Sequence, residues 1–255
     1  MKRIIDLNAD LGEDDSPEGT ARDIAIMDIV SSCNIACGGH AGSPDSMRTM
    51  LTAAKARKLS AGAHPSYPDR ANFGRVSMDI KPAALKADLL RQVTMIQEIA
   101  NELGTSITHL KPHGALYNDA QDDELLAEML VEVAQSENLP LVSMAGSAVH
   151  EEAKKAELAF LSEAFIDRRY TERGRLLPRS QEGAVIADDG ERIGQALALA
   201  KGEPVTTAER TSKVIQAETL CLHSDSDGAL ATAKAVRRAL ELEDISIGSD
   251  VRCVS

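Results

Sequence analysis

Thr108-His109-Leu110-Lys111-Pro112-His113-Gly114-Ala115-Leu116-Tyr117-Asn118 begins as a short apolar run and then meets Pro112. Proline lacks the backbone donor that a central strand requires, so a strand here ends near Lys111. If the chain stays extended through the proline, His109, Lys111 and His113 share one face, because strand side chains alternate with period two. Lys111 and His113 then look into one cavity at a strand's exit. Taken alone, the stretch reads equally well as a loop with two incidental polar residues. What separates the two readings is whether the pattern recurs.

It does recur. Outward from this stretch, short apolar β-rich runs at residues 3–8, 32–37, 60–64, 108–111, 139–144, 158–163 and 219–223 alternate with helical patterns. The helices are expected at 20–29, from Pro44 onward, at 82–103, 122–136, 147–156, 189–201 and 227–240. The longest carries Leu85, Leu89, Val93, Ile96 and Ala100 on one face and closes at Gly104. Residues 165–182, rich in Arg, Gly and Pro, read as a functional loop. Residues 203–213 are ambiguous, with a small hairpin as one reading, and the C-terminal tail is unassigned.

Strands that are nearly all followed by helices imply parallel pairing through crossovers. No G-x-G-x-x-G follows the first strand, and polar clusters follow nearly every strand, which suits a ring of loops better than one crevice. The expectation is a single parallel (β/α) barrel of about seven strands over residues 1–255.

Composition narrows the function. The 255 residues carry 28 Lys plus Arg against 40 Asp plus Glu, a net charge of -12 that repels nucleic acid and anionic membrane. With no Trp, three Phe and three Tyr, no stacking platform for bases is offered. The first residues reach Asp6 before any apolar run of signal-peptide length, and no stretch approaches the ~20 apolar residues of a membrane helix, so a cytoplasmic protein is expected. Cys33, Cys37, Cys221 and Cys253 are expected as free thiols, and their spacing does not suit a structural zinc site.

The polar residues gather at strand ends. Asp6, Asn8 and Asp10 share one face of the first strand, with Glu13 just beyond. Three acids in eight residues are expensive in a barrel interior unless they bind something or form a satisfied hydrogen-bond network. The second strand exits into Gly38-Gly39-His40-Ala41-Gly42, the third ends at His64, and the sixth runs into Glu163, Asp167, Arg168 and Arg169. The seventh ends at His223 and Asp225. Four of six histidines thus sit where barrel enzymes carry their chemistry, while His109 and His150 read as structural. No P-loop, G-x-S-x-G elbow or H-E-x-x-H helix is present, and water is a better nucleophile than Cys37.

Several longer motifs then carry a resemblance: Asp6-Leu7-Asn8-Ala9-Asp10-Leu11-Gly12-Glu13, Asn34-Ile35-Ala36-Cys37-Gly38, His40-Ala41-Gly42, Gly62-Ala63-His64-Pro65, Lys111-Pro112-His113-Gly114-Ala115-Leu116-Tyr117, residues 165–170, and Pro178-Arg179. In this order they resemble the LamB/YcsF family, whose members form the A subunit of the ATP-hydrolysing bacterial 5-oxoprolinase. The resemblance implies a seven-stranded barrel related to polysaccharide deacetylases. It also implies opening of the 5-oxoproline lactam to L-glutamate, with ATP as co-substrate and with partner subunits B and C; a homo-oligomer is left open.

On this reading Asp10, Glu13, His64, Lys111 and His113 are the expected catalytic group. Asp6, Asn8, His40, Asp167, Arg168, Arg179 and His223 are expected to bind substrate, with Lys111, Arg168 and Arg179 suited to carboxylate or phosphate. If a divalent metal binds, the deacetylase analogy implies Asp10, His64 and His113 as ligands. The chain departs from the family at Ser43, where Asp is usual, at Gly39, where an aromatic is usual, and at Ser224, where Gly is usual. Two rivals follow: a metal-dependent amidase or deacetylase that needs no ATP, and a catalytically impaired ligand-binding protein.

Overall fold

Strand β1 (Arg3–Leu11) sets the barrel through its parity. Ile5, Leu7, Ala9 and Leu11 join the apolar core, while Asp6, Asn8 and Asp10 are buried on the opposite face. The structure is a computed structural model that describes residues 3–223 and 228–249. The side chain of His223, together with Ser224, Asp225 and Cys253, lies outside the described residues.

In chain order β1 is followed by α1 (Pro17–Met27), β2 (Ser32–Ala36), α2 (Pro44–Arg57), β3 (Ser60–His64), α3 (Pro82–Glu102), α4 (Gly114–Asp119), α5 (Glu124–Ser136) and β4 (Leu141–Ser143). Then come α6 (Ala148–Lys155), β5 (Phe160–Phe165), α7 (Asp189–Lys201), β6 (Pro204–Thr206), β7 (Ser212–Val214), β8 (Thr219–His223), α8 (Ala229–Leu242) and β9 (Ile245–Ile247).

Six strands pair in the order β3-β2-β1-β8-β5-β4, all parallel. Residues 108–111 supply the missing stave. Leu110 bridges Ala63 on one side and Leu141 on the other, both in parallel sense. Lys111 N donates to Ala63 O at 2.9 Å and Leu110 N donates to Pro140 O at 2.9 Å, closing the ring. Pro112 has no N–H to extend the pairing toward β4, while on the β3 side His113 N still donates to Pro65 O at 2.8 Å.

The sheet edges show where sequence periodicity stops being informative. β1 runs on to Leu11, and its N-terminal end pairs with β9, three residues from the unassigned tail. The ambiguous stretch after α7 forms the antiparallel β6–β7 hairpin. Helix α3 buries the predicted Leu85, Leu89, Val93, Ile96 and Ala100, each side chain of Leu size contributing about 1.5–3 kcal/mol by leaving water.

Two departures from the family acquire local reasons. Ser43 caps α2, its hydroxyl accepting from Ser46 N at 3.2 Å. Ser and Asp cap helices about equally well, so the exchange preserves the cap. A Cβ at Gly39 would lie 2.5 Å from both Gln92 Oε1 and Ser66 Oγ. Gln92, accepting from Ser66 N and donating to Ser66 O, takes the space that a side chain at position 39 would need.

The barrel interior is polar. At its lower end Asp6 accepts from Ser31 and Ser32, each at 2.6 Å, and from Thr219 at 2.5 Å. One layer up, Asn8 donates to Thr219 Oγ1 at 2.6 Å and accepts from Asn34 at 2.9 Å, and Asn34 Oδ1 meets His109 Nε2 at 2.8 Å. Asp6 and Asn8 thus belong to a hydrogen-bonded interior beneath the mouth, the second of the two readings that the sequence allowed.

Candidate active site

At the top of β1 the chain turns at Gly12, with φ +74, where the backbone N–H donates to Asp23 Oδ2 at 2.8 Å. The turn carries Glu13 over the barrel mouth. Its Oε1 lies 3.0 Å from His40 Nε2, 3.2 Å from His113 Nδ1 and 3.9 Å from His64 Nε2. Burial alone would raise its pKa, but the imidazoles of His113 and His40 beside it hold the carboxyl well below the usual range.

The three imidazoles come from three strand exits. His64 ends β3, and its Nδ1 faces Lys111 O at 2.8 Å. His113 precedes α4, and its Nε2 faces Phe73 O at 3.0 Å. A carbonyl only accepts, so both of these ring nitrogens carry hydrogen. The other two, His64 Nε2 and His113 Nδ1, then face each other at 3.0 Å. His40 stacks on His113 with ring centroids 3.6 Å apart and planes within 4°. Burial pushes the His40 pKa down to about 3 and also lowers that of His113.

Beneath them, Lys111 is already engaged. Its Nζ lies 2.7 Å from Glu163 Oε1, 2.9 Å from Asp10 Oδ1 and 3.2 Å from Cys221 Sγ. Burial disfavours its charge, yet Asp10, Cys221 and Glu163 together hold its pKa well above the ordinary value. An ammonium so balanced has little charge to offer a substrate anion, the role expected for it.

A cavity of about 480 Å³ opens over this floor. Asp10, Glu13, His64, Lys111 and His113 all line it, as do Arg168 and Arg179. Asp6 and Asn8 lie deeper, His40 stands behind Glu13, and Asp167 is buried beside Arg168 outside the lining. β8 places His223 opposite Asp10 in backbone register. Burial and the nearby Arg179 charge lower the Arg168 pKa to about 10, leaving it cationic. Its Nη2 donates to Leu177 O at 2.7 Å and pins the Arg-rich loop across the mouth.

The sequence reading missed Arg75, which lines the same cavity, and Phe73. Both sit in the loop after β3, which has no periodicity to read. Phe73 adopts φ 55, a left-handed conformation that costs a bulky residue about 1–2 kcal/mol and turns its carbonyl toward His113. Cys37 is no nucleophile: burial pushes its thiol up to about 12, and the sulfur accepts from His64 N at 3.1 Å.

The fold and this mouth define a (β/α)-barrel protein with a buried carboxylate–imidazole cluster beneath a cavity. The chain belongs to the LamB/YcsF family, whose model matches residues 5–253. It is 40% identical over 245 residues to the 5-oxoprolinase A subunit of Paracidovorax citrulli, covering 95% of this chain and 98% of that one. It is 39% identical over 247 residues to the 5-oxoprolinase A subunit numbered 3 of Pseudomonas syringae pv. tomato, covering 96% of each. The crystal structure of the lactam utilization protein from Thermus thermophilus superimposes with a TM-score of 0.88 at 36% identity, covering 96% of this chain and 99% of that chain.

Proposed function

We propose that this chain is the A subunit of a 5-oxoprolinase and hydrolyses the lactam C–N bond of 5-oxoproline to give L-glutamate. The observation that carries the reading is the match, over nearly the whole length of both chains, to relatives bearing that name. The cavity supports it, being small and having a carboxylate–imidazole floor and arginine walls. An A subunit implies companions, and we assign them as subunits B and C.

The chemistry is demanding because a five-membered lactam is a stable amide. We assign ATP the task of activating it: phosphoryl transfer to the lactam oxygen, with release of ADP, makes the ring carbon electrophilic. Water adds there, the C–N bond breaks to leave a ring-opened acyl phosphate, and a second water releases inorganic phosphate and the new glutamate carboxylate. Glu13, an ionised carboxylate, takes a proton from the attacking water. Glu13 returns that proton to the departing nitrogen, and His64 and His113 beside it shuttle protons or hold a metal ion. Arg168, Arg179 and Arg75 hold the carboxylate, and Asp10 with Lys111 supports the floor.

We further assign residues 1–255 to one catalytic domain and place it in the cytoplasm, where ATP is at hand. No helix among the described residues is long and apolar enough to cross a membrane.

The test is reconstitution: the chain with its partner subunits, 5-oxoproline and ATP, read as glutamate formed. His113→Ala is expected to cut turnover by roughly 10²–10⁴-fold with an unchanged circular dichroism spectrum. Near-normal activity in that variant would sink the assignment. Glutamate formed equally well without ATP would favour the metal-dependent amidase instead.

A further inference from the structure

The geometry points to a divalent transition-metal site formed by Glu13 Oε1, His64 Nε2 and His113 Nδ1, with His40 outside the coordination sphere as the residue that positions Glu13. Electron-pair accounting leads there. His64 Nδ1 and His113 Nε2 carry the ring hydrogens that their carbonyl partners require. The two lone-pair nitrogens therefore meet at 3.0 Å, with an anionic oxygen 3.2 Å from one and 3.9 Å from the other. Three acceptors buried together with no hydrogen among them repel one another, and a cation among them removes the conflict.

The spacing fits. Bonds of about 2.0–2.2 Å from a metal to imidazole nitrogen or carboxylate oxygen place neighbouring ligand atoms about 2.9–3.4 Å apart. Two of the three separations already lie in that range, and the third closes with a small side-chain movement. Backbone carbonyls behind each imidazole are the usual outer partners of metal-binding histidines, fixing tautomer and ring plane.

His40 belongs to the same cluster of potential ligands, all within 4.8 Å, but ring geometry removes it. An ion lying in the ring plane of His113 stands about 3.6 Å outside the parallel plane of His40, where that ring has no lone pair. His64, perpendicular to His113 at 90°, meets no such obstacle. His40 instead directs its Nε2 at Glu13 Oε1.

Asp10, the ligand implied by the deacetylase analogy, is the poorer carboxylate. Lys111 and Asn34 already contact its Oδ1 at 2.9 and 2.8 Å, and its Oδ2 lies 3.4 Å from His64 Nε2. Two imidazoles and one carboxylate with further positions open suit a first-row ion such as Zn²⁺ or Co²⁺ and do not suit Mg²⁺.

The site is shared with the lactam reading, but metal binding is measured without substrate, ATP or partner subunits, so either idea can fail alone. Chelator-stripped full-length chain is titrated with Co²⁺, following visible absorption and bound metal per chain. One Co²⁺ per chain with a d–d spectrum is expected. His64→Ala, His113→Ala and Glu13→Gln should each weaken binding by at least about 100-fold, whereas His40→Ala should keep the stoichiometry and the absorption maximum while weakening binding about 10–100-fold. Circular dichroism of each variant separates lost ligands from lost fold, and the wild-type spectrum stands without any variant. Absence of stoichiometric Co²⁺ in folded wild type overturns the proposal. So does folded His113→Ala binding as tightly as wild type, or a spectral shift in His40→Ala that marks it as a ligand.

Discussion

At the scale of single residues, the site is held by groups that never touch the cavity, and Asp23 is the most testable of them. It is buried, its Oδ2 accepts the Gly12 N–H that shapes the turn before Glu13, and its Oδ1 lies 3.6 Å from Arg22 Nε. Burial raises its pKa to about 6 from 3.8. The folded state therefore binds this proton more tightly than the unfolded chain does. Stability from it is full below pH ~3.8, is lost as pH rises through about 6, and amounts to on the order of 3 kcal/mol. Asp23→Asn keeps an acceptor for Gly12 and removes the charge. Relative to wild type it should gain stability at pH 7.5 and gain little at pH 4, measured by urea unfolding at both. An equal difference at the two pH values would rule the linkage out. Phe73 supports the site differently, holding a strained backbone so that its carbonyl can orient His113.

At the scale of elements, the junction of residues 108–111 with α4 brings His113 to the mouth. Gly114 opens α4 at φ +59, and a Cβ there would come within 2.4 Å of Gly74 O, the atom that accepts from Ala115 N at 2.8 Å. Backbone against backbone cannot yield as a flexible side chain can. Gly114→Ala should push α4 away from the Phe73–Gly74 loop and take His113 off both Phe73 O and His64. Turnover is expected to fall by roughly 10²-fold or more, with a lowered melting temperature; wild-type kinetics in the variant would show that the loop is more yielding. This junction also marks the limit of sequence reading. The strand exit was legible because Pro112 interrupts an apolar run, and the catalytic candidates were legible because each follows such an exit. α4, with six residues, β9, with three, and the loop carrying Phe73 and Arg75 have no period long enough to detect. Their positions come from tertiary contacts. His40 was legible as a strand-exit histidine, but its stacking on His113, which decides its part in the site, belongs to no local pattern.

At the scale of the whole molecule, the barrel inverts the usual plan of a packed apolar interior. Its outer surface packs Leu, Ile, Val and Ala against the helices, while its inside is filled by Asp6, Asn8, Asn34, His109, Glu163 and Lys111 joined by hydrogen bonds. Sequence parity placed the first two on an inward face, but a substrate role and a structural one look the same until their partners are known. Lys111 is the single cation between Asp10 and Glu163 among the described residues, 1% exposed, and reaches Asn8 as well at 3.4 Å. Such a buried ion set adds little net stability over apolar packing when complete, but is costly when one partner is lost. Lys111→Met preserves the length of the side chain and leaves two buried carboxylates facing each other. It should destabilise the fold by about 3–5 kcal/mol, read as a lowered urea midpoint, and should abolish turnover by disturbing the floor beneath Glu13. Lys86→Met, removing a surface partner of Glu132 at 2.8 Å, should leave the midpoint near that of wild type. Equal shifts in the two variants would mean that the interior ion set is no more costly to break than a surface pair, and that the barrel tolerates its buried charges without the lysine.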